Sequence, residues 1–211
     1  MSESPPLLVR RDGPVATVTM NRPERHNAFD EALIEALTEA FVGLGEDASV
    51  RAIVLEGAGA SFSAGADVNW MRRAAGYGDE ENRADARRLA AMLKAIDECP
   101  KPVVARVQGA ALGGGTGLVA ACDIAIASER ASFGTTEVRL GLAAAVISPF
   151  VLRAIGPRQA RRLFLTGERI DAARALAIGL VHEVVPESEL DARVEAVLDH
   201  LLAGGPEAQA A

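Results

Sequence analysis

The sequence predicts an α/β fold, and three observations carry that expectation. Short β-branched or apolar runs recur at residues 15–20, 51–56, 102–107, 123–127 and 180–185. Between most of them lie stretches with apolar residues at helical spacing. The chain has 211 residues, 49% hydrophobic but only 4% aromatic, which suits one domain (1–211) with a core of Ala, Leu, Val and Ile. Strands alternating with helices throughout, with no linker, low-complexity run or clean repeat, give the α/β class.

Residues 15–20 (Val-Ala-Thr-Val-Thr-Met) read as the first strand. Asn21-Arg-Pro-Glu-Arg-His-Asn-Ala28 is a turn-rich loop, and Asp30 is a candidate N-cap for a helix reaching about Leu44, with Leu33, Ile34, Leu37, Phe41 and Leu44 on one face. A strand at 51–56 leads into a loop of small residues, 57–66, after which Asp67 can cap a helix beginning near Asn69. Residues 77–84, polar and broken by glycine, predict a mobile surface segment; 85–97 predict a helix with Leu89, Met92, Leu93 and Ile96 inward. The strand at 102–107 precedes Gln108-Gly-Ala-Ala-Leu-Gly-Gly-Gly-Thr-Gly-Leu-Val-Ala-Ala-Cys-Asp123, which contains a helical pattern. A helix is expected over 148–155, with Gly156-Pro157 separating it from the next helix. Residues 171–178 form a short helix with Gly179 as its C-cap candidate, and a last helix covers 187–202.

Bulk properties exclude several classes. A formal net charge of −7 argues against nonspecific nucleic-acid binding. Cys99 and Cys122 have no metal-ligand or redox spacing and read as buried thiols in a reducing compartment. The N-terminus lacks a basic start and an apolar run, so no signal peptide is expected. The longest uncharged apolar stretch, 109–122, is too short and glycine-rich for a membrane span of ~20 residues. A cytoplasmic protein with no membrane partner follows.

The chemistry centres on Gly113, Gly114 and Gly115. Three glycines let the backbone bend where a Cβ would clash, at a helix start whose N–H groups are free to meet a negative oxygen. Gly115-Thr-Gly117-Leu-Val-Ala120 also fits the dinucleotide pattern G-x-G-x-x-A, with Glu137 as the distal acid. Against that stand its mid-chain position and a helix that ends by Asp123. No Gly-Lys-Ser/Thr phosphate loop occurs. The second small-residue loop, Ser61-Phe-Ser-Ala-Gly-Ala-Asp-Val68, follows a strand in the same way; if Asp67 caps a helix, the Ala66 N–H is left to point at a ligand. Two donors, one from each loop, can hold one carbonyl oxygen. Glu137 lies among Thr135, Thr136, Val138 and Leu140; there a carboxylate either carries a raised pKa and shuttles a proton, or, as spacing alone favours, pairs with Arg139 or another arginine. His26, His182 and His200 lack a partner at motif spacing and read as core or surface residues.

These segments resemble the crotonase (enoyl-CoA hydratase/isomerase) superfamily over about Val15 to Leu202. The likeness is carried by residues 21–28, 62–68, 108–123 and 133–141, with Leu165-Thr-Gly-Glu-Arg-Ile and Ala177-Ile-Gly-Leu-Val181 matching later helices. The resemblance implies a spiral of ββα units with C-terminal helices, assembled as a trimer or a dimer of trimers, and an acyl-CoA thioester substrate. Coenzyme A belongs to that substrate, and neither a metal nor a redox cofactor is implied. It further implies an oxyanion hole from the N–H groups of Ala66 and Gly114, with Ala64, Ala66, Asp67 and Val68 along the adenine and pantetheine path. Arg25 and His26 would flank the CoA entrance beside Ala28, and Leu112, Gly113 and Thr136 would line the acyl side.

The chain departs from the family in three ways. Many hydratases of the family carry a first glutamate after the triple glycine; here Gly117 stands there, and only the second position is kept, as Glu137. Alanine replaces a frequent proline in Gly141-Leu-Ala-Ala-Ala145, and the C-terminal helical part is shorter than in relatives. Residues 136–142 followed by 145–151 resemble the hydratases of methylglutaconyl-CoA and isohexenylglutaconyl-CoA, which serve leucine and acyclic terpene breakdown. The expectation is therefore a one-glutamate hydratase of a 2-enoyl-CoA with a branched or carboxylated acyl chain. A double-bond isomerase and a non-catalytic acyl-CoA binder are the alternatives. For a carboxylated chain Arg139 is the candidate cation, with a solvent-facing ion pair as its other reading.

Overall fold

The computed structural model describes residues 5–210. The N-terminal targeting expectation falls in part on residues 1–4, which lie outside the described residues. In chain order the elements are β1 (Leu7–Asp12), β2 (Val15–Met20), α1 (Glu31–Glu46), β3 (Ala52–Gly57), α2 (Val68–Ala74), α3 (Asp79–Asp97), β4 (Val103–Val107), β5 (Ala110–Leu112) and α4 (Gly114–Ala121). They continue with β6 (Ile124–Ser128), β7 (Ser132–Gly134), α5 (Ser148–Thr166), β8 (Ile170–Asp171), α6 (Ala172–Ala177), β9 (Glu183–Val185), α7 (Leu190–Ala203) and α8 (Pro206–Gln209).

The main sheet has the order β1-β2-β3-β4-β6-β9. Its first pair is an antiparallel hairpin and every later pair is parallel. The α/β expectation holds. A second layer runs beside this sheet: β5 pairs parallel with β7, β7 pairs antiparallel with β8, and single parallel bridges join Phe29 to Ala66 and Ser63 to Ala111. The chain thus repeats one motion, a strand in the main sheet, a short extended piece in the second layer, then a helix. The run β4, β5, α4 is the clearest turn of this ββα spiral.

Residue patterning explains the layers. In β2, Ala16, Val18 and Met20 are fully buried and alternate with half-buried neighbours. β3 and β4 are buried on nearly every residue, as parallel strands covered on both faces must be. One core cluster gathers Leu33, Leu37 and Phe41 of α1 with Met92, Leu93 and Ile96 of α3. A second places Leu190, Val194 and Val197 of α7 over Val54, Val104 and Ile126 of the sheet. α1 starts where expected, since the Asp30 carboxylate accepts the Leu33 N–H at 3.0 Å. α5 is two helical segments with Gly156 between them at φ +73°, matching the predicted break.

Other expectations need correction. Residues 79–84 lie at the surface as expected, but they are regular helix, the first turns of α3. The Glu81 carboxylate accepts the Gly78 N–H at 2.9 Å, and Asp79, Glu80 and Glu81 favour the positive end of the helix. α2 begins at Val68, a residue before the predicted start. Strands β1, β5, β7 and β8 were not anticipated: β1 is an exposed edge with no buried alternation, and the others have two or three residues. Cys122 is buried but Cys99 only half-buried, and both are free thiols. Among the described residues no helix is long and apolar enough to cross a membrane, and no cluster of His, Cys, Asp or Glu is placed to hold a metal ion.

One buried polar contact fastens α2 to α3. Asp85, 6% exposed, accepts the Trp70 Nε1–H at 3.2 Å and is paired with Arg88. Replacing Asp85 by Ala leaves the buried indole N–H without its acceptor, so Asp85→Ala is expected to lower unfolding free energy by about 1–3 kcal/mol. Asp85→Asn, which keeps an acceptor, should cost clearly less. Urea unfolding of the three proteins checks this, and equal losses in both variants would contradict it.

Candidate functional site

Three backbone turns meet at the start of α4. The Ser63 N–H donates to the Ala110 carbonyl at 3.0 Å, and the Leu112 N–H donates to the Ser63 carbonyl at 2.9 Å, joining the 61–67 loop to β5. The Phe29 N–H donates to the Gly65 carbonyl and the Asp67 N–H to the Phe29 carbonyl, each at 2.7 Å, joining the same loop to residues 28–30. Side chains are excluded from these crossings. A Cβ placed on Gly65 would lie 2.7 Å from the Leu112 carbonyl oxygen and 3.4 Å from the Gly114 nitrogen; one on Gly114 would lie 2.5 Å from the Phe29 ring.

Two main-chain donors are left over at this junction. The Ala66 N–H and the Gly114 N–H donate to no backbone or side-chain acceptor among the described residues. Ala66 is exposed and Gly114 half-buried, on loops that touch through Gly65. Gly114 opens α4, so its N–H also carries the partial positive charge of the helix start. Such a pair can accept one oxygen that gains negative charge.

Glu137 faces the same junction. It sits in a 3₁₀ turn, Thr136–Leu140, after β7, and the Gly113 N–H donates to the Gly134 carbonyl at 2.7 Å, tying that strand to the glycine turn. Gly113 has φ +53°, and a Cβ there would lie 3.1 Å from Glu137 Oε1. Glu137 Oε2 is buried with no hydrogen-bond partner among the described residues, as is the hydroxyl of Thr135. Burial pushes the Glu137 carboxyl above the usual carboxylate range, with its own backbone N–H opposing the shift.

The ion pair that spacing favoured for Glu137 does not form. Arg139 is exposed, makes no ion pair among the described residues, and lays its stem against Gly167, where a Cβ would meet Arg139 Cγ at 3.2 Å. The 3₁₀ turn sends the two side chains apart. The solvent-facing ion pair offered for Arg139 is therefore not seen.

The other predicted residues fall around the junction. Leu112 and Gly113 are buried under it, and Thr136 is half-buried beside Glu137. Ala64 and Val68 are exposed on the outer side of the 61–67 loop. Arg25 and His26 are exposed at a 3₁₀ turn, Pro23–Arg25, next to buried Ala28; the Ala64 N–H donates to the His26 carbonyl at 2.9 Å, which brings that turn to the loop. His26 Nδ1 lies 3.1 Å from Ser61 Oγ. Asp67 is buried and caps α2, accepting the Asn69 N–H at 2.8 Å. Burial works against its charged form, but the N–H groups of Asn69 and Trp70 and the charges of Arg22 and Arg25 outweigh it and hold the carboxyl below its usual range. His182 is a structural acceptor, taking the Ala125 N–H at 3.0 Å on Nδ1, and His200 is exposed.

The dinucleotide alternative loses its basis. Gly115 and Gly117 are buried and serve packing: a Cβ on Gly115 would lie 3.1 Å from the Ser63 carbonyl carbon, and one on Gly117 would lie 2.8 Å from Ile147 Cβ. Sequence reasoning missed Phe29, Asn27, Ile147 and Gln108. Asn27 is fully buried; its side chain takes the Arg22 N–H and donates to the Ala58 and Ser61 carbonyls. Gln108 Nε2 donates to the carbonyls of Gly57, Gly59 and Ser61. A buried amide inside a loop of turn residues was the available signal for Asn27; nothing local marks Ile147.

Known proteins resemble this chain in sequence and in fold. The sequence profile described as enoyl-CoA hydratase/isomerase matches residues 10–211. The chain is 35% identical over 206 residues to the short-chain-enoyl-CoA hydratase of Clostridium acetobutylicum, covering 95% of this chain and 76% of the relative. Among solved structures it is similar to an enoyl-CoA hydratase from Shewanella pealeana, with a TM-score of 0.94 and 44% identity over 97% of this chain and 77% of that one. An enoyl-CoA hydratase of Mycobacterium smegmatis gives a TM-score of 0.94 at 39% identity, covering 98% and 80%.

Two outcomes follow from the geometry. Gly117→Ala pushes a methyl into Ile147 and is expected to cost about 1–3 kcal/mol, less whatever the better helix former returns. In an Ile147→Ala background the same change should cost at least about 0.5 kcal/mol less, and additive losses in denaturant melts would show that the two side chains do not meet.

The second outcome concerns Glu137 and pH. A carboxyl whose folded pKa is raised contributes stability that is full below the unfolded pKa and is lost as pH rises through the folded one. Glu137→Gln lacks that loss, so its melting temperature relative to the parent should rise from acid to neutral pH, across a window starting at the ordinary glutamate value. A difference that is flat or falls with pH would contradict the buried, unpaired carboxyl.

Proposed function

The chain belongs to the enoyl-CoA hydratase/isomerase family, and on that premise we propose that it is an enoyl-CoA hydratase adding water across the C2=C3 bond of a 2-enoyl-CoA thioester. The observation that carries the reading is the half-buried Glu137 carboxyl, unpaired by any cation and turned toward Gly113, beside the unused N–H groups of Gly114 and Ala66. The thioester oxygen sits between those two N–H groups. As water adds to C3, electron density moves through C2 onto that oxygen, where the donors meet it. Glu137 takes a proton from the attacking water; the hydroxyl oxygen bonds to C3, and Glu137 returns a proton to C2. Its raised pKa suits a group that must both accept and give a proton near neutral pH. Arg25 and His26 flank the CoA entrance, and Ala64, Asp67 and Val68 line the path of its tail.

The acyl group we assign is branched or carboxylated, of the methylglutaconyl type. Its support is the likeness of residues 136–151 to hydratases of that kind. The chain acts as a homotrimer or a dimer of trimers, which light scattering checks. A second reading, a double-bond isomerase that carries a proton between C2 and C4, is favoured by Gly117, which supplies no second carboxylate in a space closed by Ile147.

Turnover separates these readings. Glu137→Gln is expected to lower hydration of a short 2-enoyl-CoA by at least about 10²-fold while ester binding changes by less than about threefold. Unchanged turnover removes Glu137 from the mechanism. Turnover of the 3-enoyl ester alone selects the isomerase, and binding of both esters without turnover of either selects a non-catalytic acyl-CoA binder. Inclusion of methylglutaconyl-CoA in the panel tests the acyl assignment, which fails if unbranched esters are preferred.

A further inference from the structure

The Arg22 side chain joins the 28–30 segment to the start of α2 beside Ala66. Its Nη2 lies 2.9 Å from Asp30 Oδ2 and 3.2 Å from Asp67 Oδ2, and its Nη1 donates to the Ala28 carbonyl at 2.5 Å. Each carboxylate divides its oxygens. Asp30 Oδ1 accepts the Leu33 N–H and so caps α1, Asp67 Oδ1 accepts the Asn69 N–H and so caps α2, and the second oxygen of each goes to Arg22. One guanidinium therefore holds the starts of two helices together.

The group is not a loose surface arginine. The side chains of Arg22, Asp67 and Asp30 are 16%, 7% and 24% exposed. The Arg22 backbone is fixed as well: its N–H donates to Asn27 Oδ1 at 2.9 Å, and its carbonyl accepts the N–H groups of Arg25 and Asn27. Between the gripped atoms, the Ala28 carbonyl and the Asp67 carboxylate, run the two 2.7 Å bonds of Phe29 to Gly65 and Asp67. Ala66 lies inside that frame, flanked on both sides by residues bonded to Phe29.

We propose that Arg22 is a positioning residue for the reaction: by forking across Asp30, Asp67 and the Ala28 carbonyl, it sets where the Ala66 N–H points. The proposal rests on the reading in which that N–H binds the thioester oxygen. A donor aimed at developing charge works only where its direction is fixed beforehand. Removing the fork frees the 65–67 loop to shift without removing any group that touches substrate. Nη2 alone reaches both carboxylates, so a lysine ammonium can keep those contacts, but with one nitrogen it loses the second arm of the fork, the Nη1 bond to the Ala28 carbonyl.

The test reads the carbonyl directly. The thioester C=O stretch of an unreactive acyl-CoA bound to the wild-type protein is compared by difference infrared spectroscopy with the bands in Arg22→Gln and Arg22→Lys, alongside steady-state hydration. In the wild type the band is expected to move to lower wavenumber than in the free ester. In Arg22→Gln it should return toward the free position, and kcat should fall on the order of ten- to hundredfold with KM within about threefold. Arg22→Lys should move both readouts the same way by less, and it carries the test if Arg22→Gln does not fold. An undisplaced wild-type band overturns the oxyanion reading itself. A displaced wild-type band that a folded variant keeps, with kcat unmoved and only the melting temperature lowered, overturns the role of Arg22 alone.

Discussion

The close crossing of main chains at Gly65, Gly113 and Gly114 governs the rest of this structure. Interiors pack densely, and two backbones approach to within hydrogen-bonding distance of one another only where side chains stay away. Here the 61–67 loop lies between Phe29 on one side and β5 on the other, bonded to both. The passes that start from β2, β3, β4 and β6 each contribute an extended piece to that second layer before the next helix. Donors made from such backbone are held by the whole stack. No side-chain rotamer has to be ordered to present them, which is an advantage where a charge develops quickly on a bound oxygen.

Much of this was legible because its causes are local. The apolar face of α1, the capping roles of Asp30 and Asp67, and the break at Gly156 each follow from a few adjacent residues. The clustering of small residues at 61–67 and 113–115 likewise pointed to backbone approach. What escaped was set by distant partners. β5, β7 and β8 are too short to show a period and exist because they pair with one another. Residues 79–84 looked like loop because a polar first turn on an exposed helix carries no apolar stripe. The separation of Glu137 from Arg139 depends on a 3₁₀ turn, which spacing read as an extended or α-helical segment does not reveal.

The fork of Arg22 and the isolation of Glu137 show opposite treatments of charge within one site. Asp67 is buried, yet capped N–H groups and arginines hold its carboxyl below the ordinary range, so it stays ionised and serves geometry. Glu137 is also half-buried, but it forms no ion pair among the described residues, and its carboxyl moves up. The same residue chemistry thus yields an ionised anchor in one place and a carboxyl biased toward its protonated form in the other. The difference comes first from the Asn69 and Trp70 N–H groups and then from Arg22 and Arg25, which all favour the Asp67 anion, whereas Arg139, in the same turn as Glu137, lays its stem against Gly167 instead.

Gly117 and Ile147 belong to that second treatment. A carboxylate at 117 would place a like charge near the site; a glycine covered by the Ile147 side chain places hydrocarbon there instead. That aliphatic contact leaves no room beside α4 for a side chain at 117, so Glu137 stands without the second carboxylate of the two-glutamate pattern. A carboxylate carrying protons alone would have to be protonated and deprotonated in each turnover, and both steps are fast only when the pKa lies near the surrounding pH. The upward shift of Glu137 has its own cause, burial, and it acts in the direction that such a role would need.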